Sequence, residues 1–170
     1  MNRDLSALRL DGLMAREWLA ANGNGAFASS TLCGLNTRKY HGLLVAAMAP
    51  PVRRMVLLSR IEETVLSNGR SFDLACNEYP GTIHPQGHSF LRAFNHEPFP
   101  RWAYQGEGWT IEKQLRPLQG ENTVVLTYRF VLRETPSSTA TSTSEFIFEP
   151  PNLVVVSSVR NPFTPSENGR

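Results

Sequence analysis

Apolar and polar positions alternate most regularly in two neighbouring runs past the middle of the chain. In the first, Trp109, Ile111 and Leu115 share one side while Thr110, Glu112, Gln114 and Arg116 share the other. In the second, Val124, Leu126, Tyr128, Phe130 and Leu132 face one way, and Thr123, Thr127 and Arg129 face the other. The intervening Gln119-Gly120-Glu121-Asn122 has turn composition, so the two runs are expected to pair as antiparallel strands with one wet face. Upstream, Tyr40 to Met48 reads as a buried strand, ended by Pro50-Pro51, which cannot continue a ladder. Arg54 to Leu66 alternates less cleanly but is rich in Val, Leu and Ile. It meets Asn68-Gly69, the strongest two-residue hairpin signal because both turn positions require positive φ. That register sets Val65 opposite Phe72 and Leu66 opposite Ser71. Ala15 to Ala21 fits either a short strand or a helical turn.

Several short strands with turn signals and no convincing long helix predict an all-β fold. The expectation is an antiparallel β-sandwich with at most a short N-terminal helix. A break in composition bounds it, since Thr135 to Ser144 holds eight Ser or Thr in ten residues and no charge. The expected organisation is a β-sandwich domain over 1–133, a Ser/Thr-rich linker over 134–145 and a partly disordered tail over 146–170. In that tail Phe146-Ile147-Phe148 and Leu153-Val154-Val155-Val156 are strand-like but interrupted by Pro150-Pro151.

Composition narrows the function classes. Apolar residues make up 41% of the 170, enough for a core, and the net charge is +2 on 19% charged residues. The basic residues are scattered apart from Arg53-Arg54, so neither nucleic acid nor a membrane surface is an expected partner. The first residues lack the apolar stretch of a signal peptide, and no apolar run approaches the ~18 residues of a membrane span. With only Cys33 and Cys76, a disulfide framework is not expected. A reducing, cytoplasmic setting with both thiols free follows, each more readily a small buried hydrophobe than a nucleophile.

The densest chemistry lies between Asn22 and Ala47. Asn22-Gly23-Asn24-Gly25 lacks the Lys-Ser/Thr of a phosphate-binding loop and is better read as a structural turn. The cluster Asn36-Thr37-Arg38-Lys39-Tyr40-His41 offers amide, guanidinium, phenol and imidazole groups, a mix suited to sugar hydroxyls. If Arg38 to Ala46 is extended, Arg38 and Tyr40 point to one face while Lys39 and His41 point to the other. A structural alternative has Arg38 paired with a carboxylate and Tyr40 packed. Aromatic residues concentrate from Phe90 to Trp109, and most belong in a core. Trp102 and Tyr104, beside a Pro-rich loop, are the candidates for exposure to a sugar ring. His84 and His88 flank Pro85 and Gly87, which argues against helical metal-ligand spacing, and no third ligand is near, so no metal or other cofactor is expected. Glycoside hydrolysis needs two carboxylates flanking the bond, yet Glu62 and Glu63 on a strand would face opposite ways. No complete catalytic site is legible.

From Glu17 to about Phe130 the chain resembles the N-terminal domain of bacterial and archaeal glycogen debranching enzymes, the amylo-α-1,6-glucosidase family. The match rests on Glu17-Trp18-Leu19, on Asn22-Gly23 with Gly25, and on Asn36-Thr37-Arg38-Lys39-Tyr40-His41-Gly42-Leu43-Leu44-Val45. Leu57-Leu58-Ser59 with Glu62-Glu63 and Gly120-Glu121-Asn122-Thr123-Val124-Val125 before Tyr128 add to it. Ala26, Phe27 and Lys39 stand where the family often has Gly, Tyr and Arg, and no resemblance is evident after about Leu132. The resemblance implies a β super-sandwich that packs against a catalytic (α/α) barrel in an enzyme hydrolysing α-1,6 branch linkages of glycogen. It implies a non-catalytic part for this chain, with α-glucan (glycogen or a maltooligosaccharide) as ligand. The candidate substrate-binding residues are then Asn36, Arg38, Tyr40, His41, Trp102 and Tyr104, with no catalytic residue assigned. The alternative is a self-associating, homo-oligomeric β-module without sugar binding.

Overall fold

The computed structural model describes residues 3–5, 7–67, 69–132 and 146–147. The expected linker and all of the expected tail except Phe146–Ile147 lie outside the described residues.

Fourteen strands are described, and nearly all the regular structure is antiparallel sheet. One sheet has six strands in the order β1 (Arg3–Asp4), β10 (Leu91–Asn95), β11 (Arg101–Gly106), β12 (Trp109–Pro117), β13 (Val124–Leu132) and β14 (Phe146–Ile147). The other has four, β2 (Glu17–Ala21), β3 (Phe27–Thr31), β4 (Gly42–Ala49) and β5 (Val52–Leu58). Two hairpins flank them, β6 (Thr64–Ser67) with β7 (Arg70–Asp73), and β8 (Cys76–Tyr79) with β9 (Thr82–Gln86). The only α-helix described is the five-residue α1 (Leu10–Met14), and a 3-10 turn spans Gly87–Phe90. The antiparallel β-sandwich expected from the alternating runs is what the chain forms.

The strongest sequence signals hold in detail. Ile111 pairs with Phe130 and Leu115 with Leu126 across β12 and β13. Trp109, Ile111 and Leu115 are buried while Arg116 is exposed, as the alternation requires. In the β6–β7 hairpin Val65 faces Phe72 and Leu66 faces Ser71. Gly69 has φ +70°, a left-handed conformation that turn geometry asks for and that glycine adopts without steric cost. Ala15 to Ala21 resolves in favour of the strand β2. The run from Tyr40 begins two residues late, because Arg38 to Tyr40 form a turn and β4 starts at Gly42. Pro50-Pro51 make the tight connection from β4 to β5.

A single apolar core joins the sheets and the hairpins. Trp18 of β2 meets Trp102 of β11 edge-to-face, with ring centroids 5.0 Å apart. The Trp18 indole N–H donates to the Thr31 carbonyl and the Trp102 indole N–H to the Leu32 carbonyl, both at 3.1 Å. Phe72, Phe90 and Trp109 form a second aromatic group, with centroids 5.5–5.7 Å apart, that seats the β6–β7 hairpin. A buried polar link ties the segment after β5 to the six-stranded sheet. Tyr128 donates to Glu63 Oε1 at 2.6 Å, and the Lys113 ammonium contacts the same oxygen.

The Asn22-Gly23-Asn24-Gly25 segment is a structural turn, as expected. Asn22 is buried, its side chain bonds the Glu121 carbonyl, and the Gly120 amide donates to the Asn22 carbonyl at 2.8 Å. Asn24 reaches the Gly120 carbonyl at 2.9 Å and accepts from the Ala26 amide at 3.1 Å. From the same β12–β13 turn, Asn122 Oδ1 accepts from the Ala47 amide while its Nδ2 donates to the Ala47 carbonyl, both at 3.0 Å. The side chain of Asn122 thus pairs with a buried backbone unit of β4 as a neighbouring strand would. Gly25 has φ +96°, and a Cβ there would lie 2.6 Å from the Pro51 carbonyl oxygen.

Two substitutions check this account by equilibrium unfolding in urea. Trp102→Ala removes the edge-to-face contact and leaves a cavity, and is expected to cost about 3–5 kcal/mol. Asn122→Ala strands the buried amide and carbonyl of Ala47 and is expected to cost about 2–4 kcal/mol.

Candidate functional site

The turn at Arg38 to Tyr40 determines what the polar cluster presents. The His41 amide donates to the Arg38 carbonyl at 3.1 Å, folding the segment back on itself. The expected alternation of an extended Arg38–Ala46 therefore does not apply. Arg38 and His41, expected on opposite faces, converge on one carboxylate. Arg38 Nε lies 2.6 Å from Glu17 Oε1 and His41 Nε2 lies 3.7 Å from the same atom. His41 Nδ1 accepts from the Thr37 amide at 3.1 Å, so in the neutral ring the proton sits on Nε2, toward Glu17.

Each polar side chain is thereby given a share of structural work. Asn36 accepts from the Ser30 hydroxyl at 2.8 Å and donates to the Ser59 carbonyl and hydroxyl at 3.1 and 3.0 Å. It sews the loop between β3 and β4 to the end of β5. His41 is buried. The groups left facing solvent are the Arg38 guanidinium, 69% exposed, the Tyr40 ring and Lys39. Lys39 Nζ stands 5.5 Å from the Tyr40 ring centroid. Of the substituted family positions, Ala26 is buried and Phe27 lies beneath the Arg54 guanidinium at 5.7 Å.

Trp102 and Tyr104 are not exposed. Both are buried, at 4% and 8%, on β11, which is paired on both sides by β10 and β12. The alternation Arg101 out, Trp102 in, Gln105 out carried that information, and the Pro-rich flank obscured it. Burial pushes the Tyr104 phenol far up, and the nearby Glu63 charge adds to it, so it stays neutral. Glu62 and Glu63 also take separate partners, Glu62 with Asn77 at 2.9 Å and Glu63 with Lys113 and Tyr128. They do not address one ligand together.

Next to the turn lies a groove of about 320 Å³, lined by Arg16, Glu17, Asn95, His96 and Glu97 over the edges of Trp18 and Phe94. Glu17 is common to the groove and the turn, so Arg38 is held at the groove's margin. The Arg38 guanidinium, bonded to Glu17, holds that carboxyl below its ordinary value. His96 Nε2 is 2.7 Å from the Leu19 carbonyl. Arg16, Asn95, His96 and Glu97 come from segments far apart in sequence, and no local pattern marks them as a group.

A second cavity, about 40 Å³, lies inside the sandwich between Trp18, Asn36, Tyr104, Asn77 and the two cysteines. The Cys33 and Cys76 thiols are buried and free, and both line its wall. Cys33 is also 3.4 Å from the Thr31 hydroxyl, and Cys76 is 3.4 Å from His88 Nδ1. The neighbouring Cys76 thiol outweighs burial and draws the Cys33 thiol below the ordinary thiol range, while Cys33 and burial together push Cys76 up. Burial holds His88 below its usual value, as it does His41.

The fold and this surface define a β-sandwich that offers a polar turn and a shallow groove, with no paired carboxylates at the turn. The family model for the glycogen debranching enzyme N-terminal domain matches residues 16–141, so the chain belongs to that family. The match runs past Leu132, where motif resemblance fades. No curated protein and no solved structure matches the chain.

The buried His41 and the half-buried His88 generate a pH dependence. Both are held below the ordinary 6.5, so the folded state keeps them neutral while the unfolded chain protonates them. Folding stability is then constant above that value and falls as pH drops below it, until the folded-state values are passed, with a slope approaching one proton per histidine. Urea titrations between pH 7.5 and 5 are expected to show about half that slope in His41→Gln and a flat profile in the double variant with His88→Gln.

Proposed function

We propose that this chain serves as the non-catalytic N-terminal domain of a glycogen debranching enzyme, supplying α-glucan contacts and a packing surface for a catalytic (α/α) barrel. The parent activity on this reading is hydrolysis of α-1,6 branch linkages. The observation that carries the glucan part is the Arg38–Glu17–His41 arrangement at the margin of the groove, with Tyr40 exposed beside it. A fixed guanidinium, a phenol, carboxylates and an amide supply donors and acceptors in the directional pattern that sugar hydroxyls require. Asn36 and His41 act behind that surface by holding the turn. Trp102 and Tyr104 act as core, and no stacking role remains for them.

The packing part rests on β5. It is an edge strand of the four-stranded sheet, and Val52, Met55 and Leu57 are each about half exposed, with Met48 of β4 nearby. An apolar edge of this kind fits burial by another domain. The same strip supports a second reading, self-association of the chain without sugar binding.

Calorimetric titration with maltoheptaose at millimolar concentration is expected to give a weak binding isotherm, and Tyr40→Ala to weaken it about two- to tenfold, the worth of one or two exposed hydrogen bonds. Absence of heat would leave the packing role alone. In light scattering, a monomer at high concentration would remove the self-association reading, whereas an oligomer dissolved by Met55→Glu with Leu57→Glu would establish it.

A further inference from the structure

The thiol pair has a feature that core packing alone does not account for. Cys33, in the loop after β3, and Cys76, at the start of β8, are distant in sequence, yet both line the 40 Å³ cavity. Asn77 lines that cavity too, is 97% buried, and keeps its Oδ1 without a hydrogen-bond partner while its Nδ2 is used by Glu62. A buried acceptor of this kind calls for a small donor molecule. The 40 Å³ exceeds the roughly 10–15 Å³ needed to admit one water, so a molecule of peroxide's size fits, and it is small beside a tripeptide disulfide.

We propose that Cys33 and Cys76 form a peroxide-reactive pair, with hydrogen peroxide entering this cavity as the oxidant and the two thiols closing to a disulfide. Cys33 is the attacking sulfur, since the Thr31 hydroxyl, 3.4 Å away, can donate to its thiolate. An S–O bond forms as the peroxide O–O bond breaks, and the departing hydroxide takes a proton and leaves as water. The Cys33 sulfur has lost two electrons to the peroxide and is a sulfenic acid. The Cys76 sulfur then attacks it. An S–S bond forms, the S–O bond breaks, and a second water leaves with the Cys76 proton, which His88 Nδ1, 3.4 Å away, is placed to relay. The sum is two thiols and one peroxide giving one disulfide and two waters. Asn77 Oδ1 accepts a hydrogen bond from the peroxide during the first step.

The test treats the full chain with a tenfold excess of hydrogen peroxide and counts thiols in denaturant with time. Both thiols are expected to disappear together, with a Cys33–Cys76 peptide that is lighter by about 2 Da than its reduced parts and is restored by a reductant. Peptide mapping separates this from oxidation of the exposed Met48 and Met55. In Cys76→Ser the reaction is expected to stop at a Cys33 sulfenic acid that dimedone labels once the oxidised chain is unfolded in denaturant. Oxidised glutathione at the same concentration is expected to consume the thiols at least tenfold more slowly. Two titratable thiols after peroxide treatment, a disulfide between chains, or glutathione reacting as fast as peroxide would overturn the proposal.

Discussion

A pair of tryptophans holds this sandwich in register. Trp18 of β2 and Trp102 of β11 place their indole N–H groups on the successive carbonyls of Thr31 and Leu32 at the end of β3. The rings meet edge-to-face, so the four-stranded and six-stranded sheets cannot slide past one another without breaking the Trp102–Leu32 hydrogen bond and the contact between the rings. That constraint fixes where β3 ends, and with it the loop that carries Cys33, Asn36 and Arg38. The polar turn, the groove and the thiol cavity all inherit their positions from it.

The polar motifs of the chain serve the backbone first. Asn22, Asn24 and Asn122 bind main-chain groups across the junction between the β2–β3 and β12–β13 turns and β4, and Asn36 does the same between the loop after β3 and Ser59. An amide side chain carries a donor and an acceptor in the geometry of a peptide unit, which suits it to close a sheet where no strand is available. What is left facing solvent at the turn is the Arg38 guanidinium, the Tyr40 phenol and Lys39, with the groove beside Glu17. Glu63, with Lys113 and Tyr128, follows the same logic in the interior, as a carboxylate committed to tying the segment after β5 to the six-stranded sheet.

Much of the fold was legible because strand alternation is local. The β12–β13 pair and the β6–β7 register could be read residue by residue from spacing and turn chemistry. Trp102 and Tyr104 were misjudged because a Pro-rich flank suggested a loop, although β11 alternates like its neighbours. The polar cluster was recognised as a unit, but its geometry was not. A turn at Arg38 to Tyr40 replaces period-two alternation with convergence, and nothing in the six residues announces that Glu17 waits across the β-sheet.

The amino-acid sequence by itself determined the class of fold, the main strand pairs and the family, because each depends on patterns within a few residues or on motifs kept in order. Tertiary structure alone decided which polar groups meet: Arg38 and His41 on Glu17, Cys33 and Cys76 at one cavity, Asn122 with Ala47. These groups lie between 21 and 75 residues apart in the chain and are brought together only by the fold. Local propensity carries no information about such distances, since they are set by the packing of two sheets around Trp18 and Trp102.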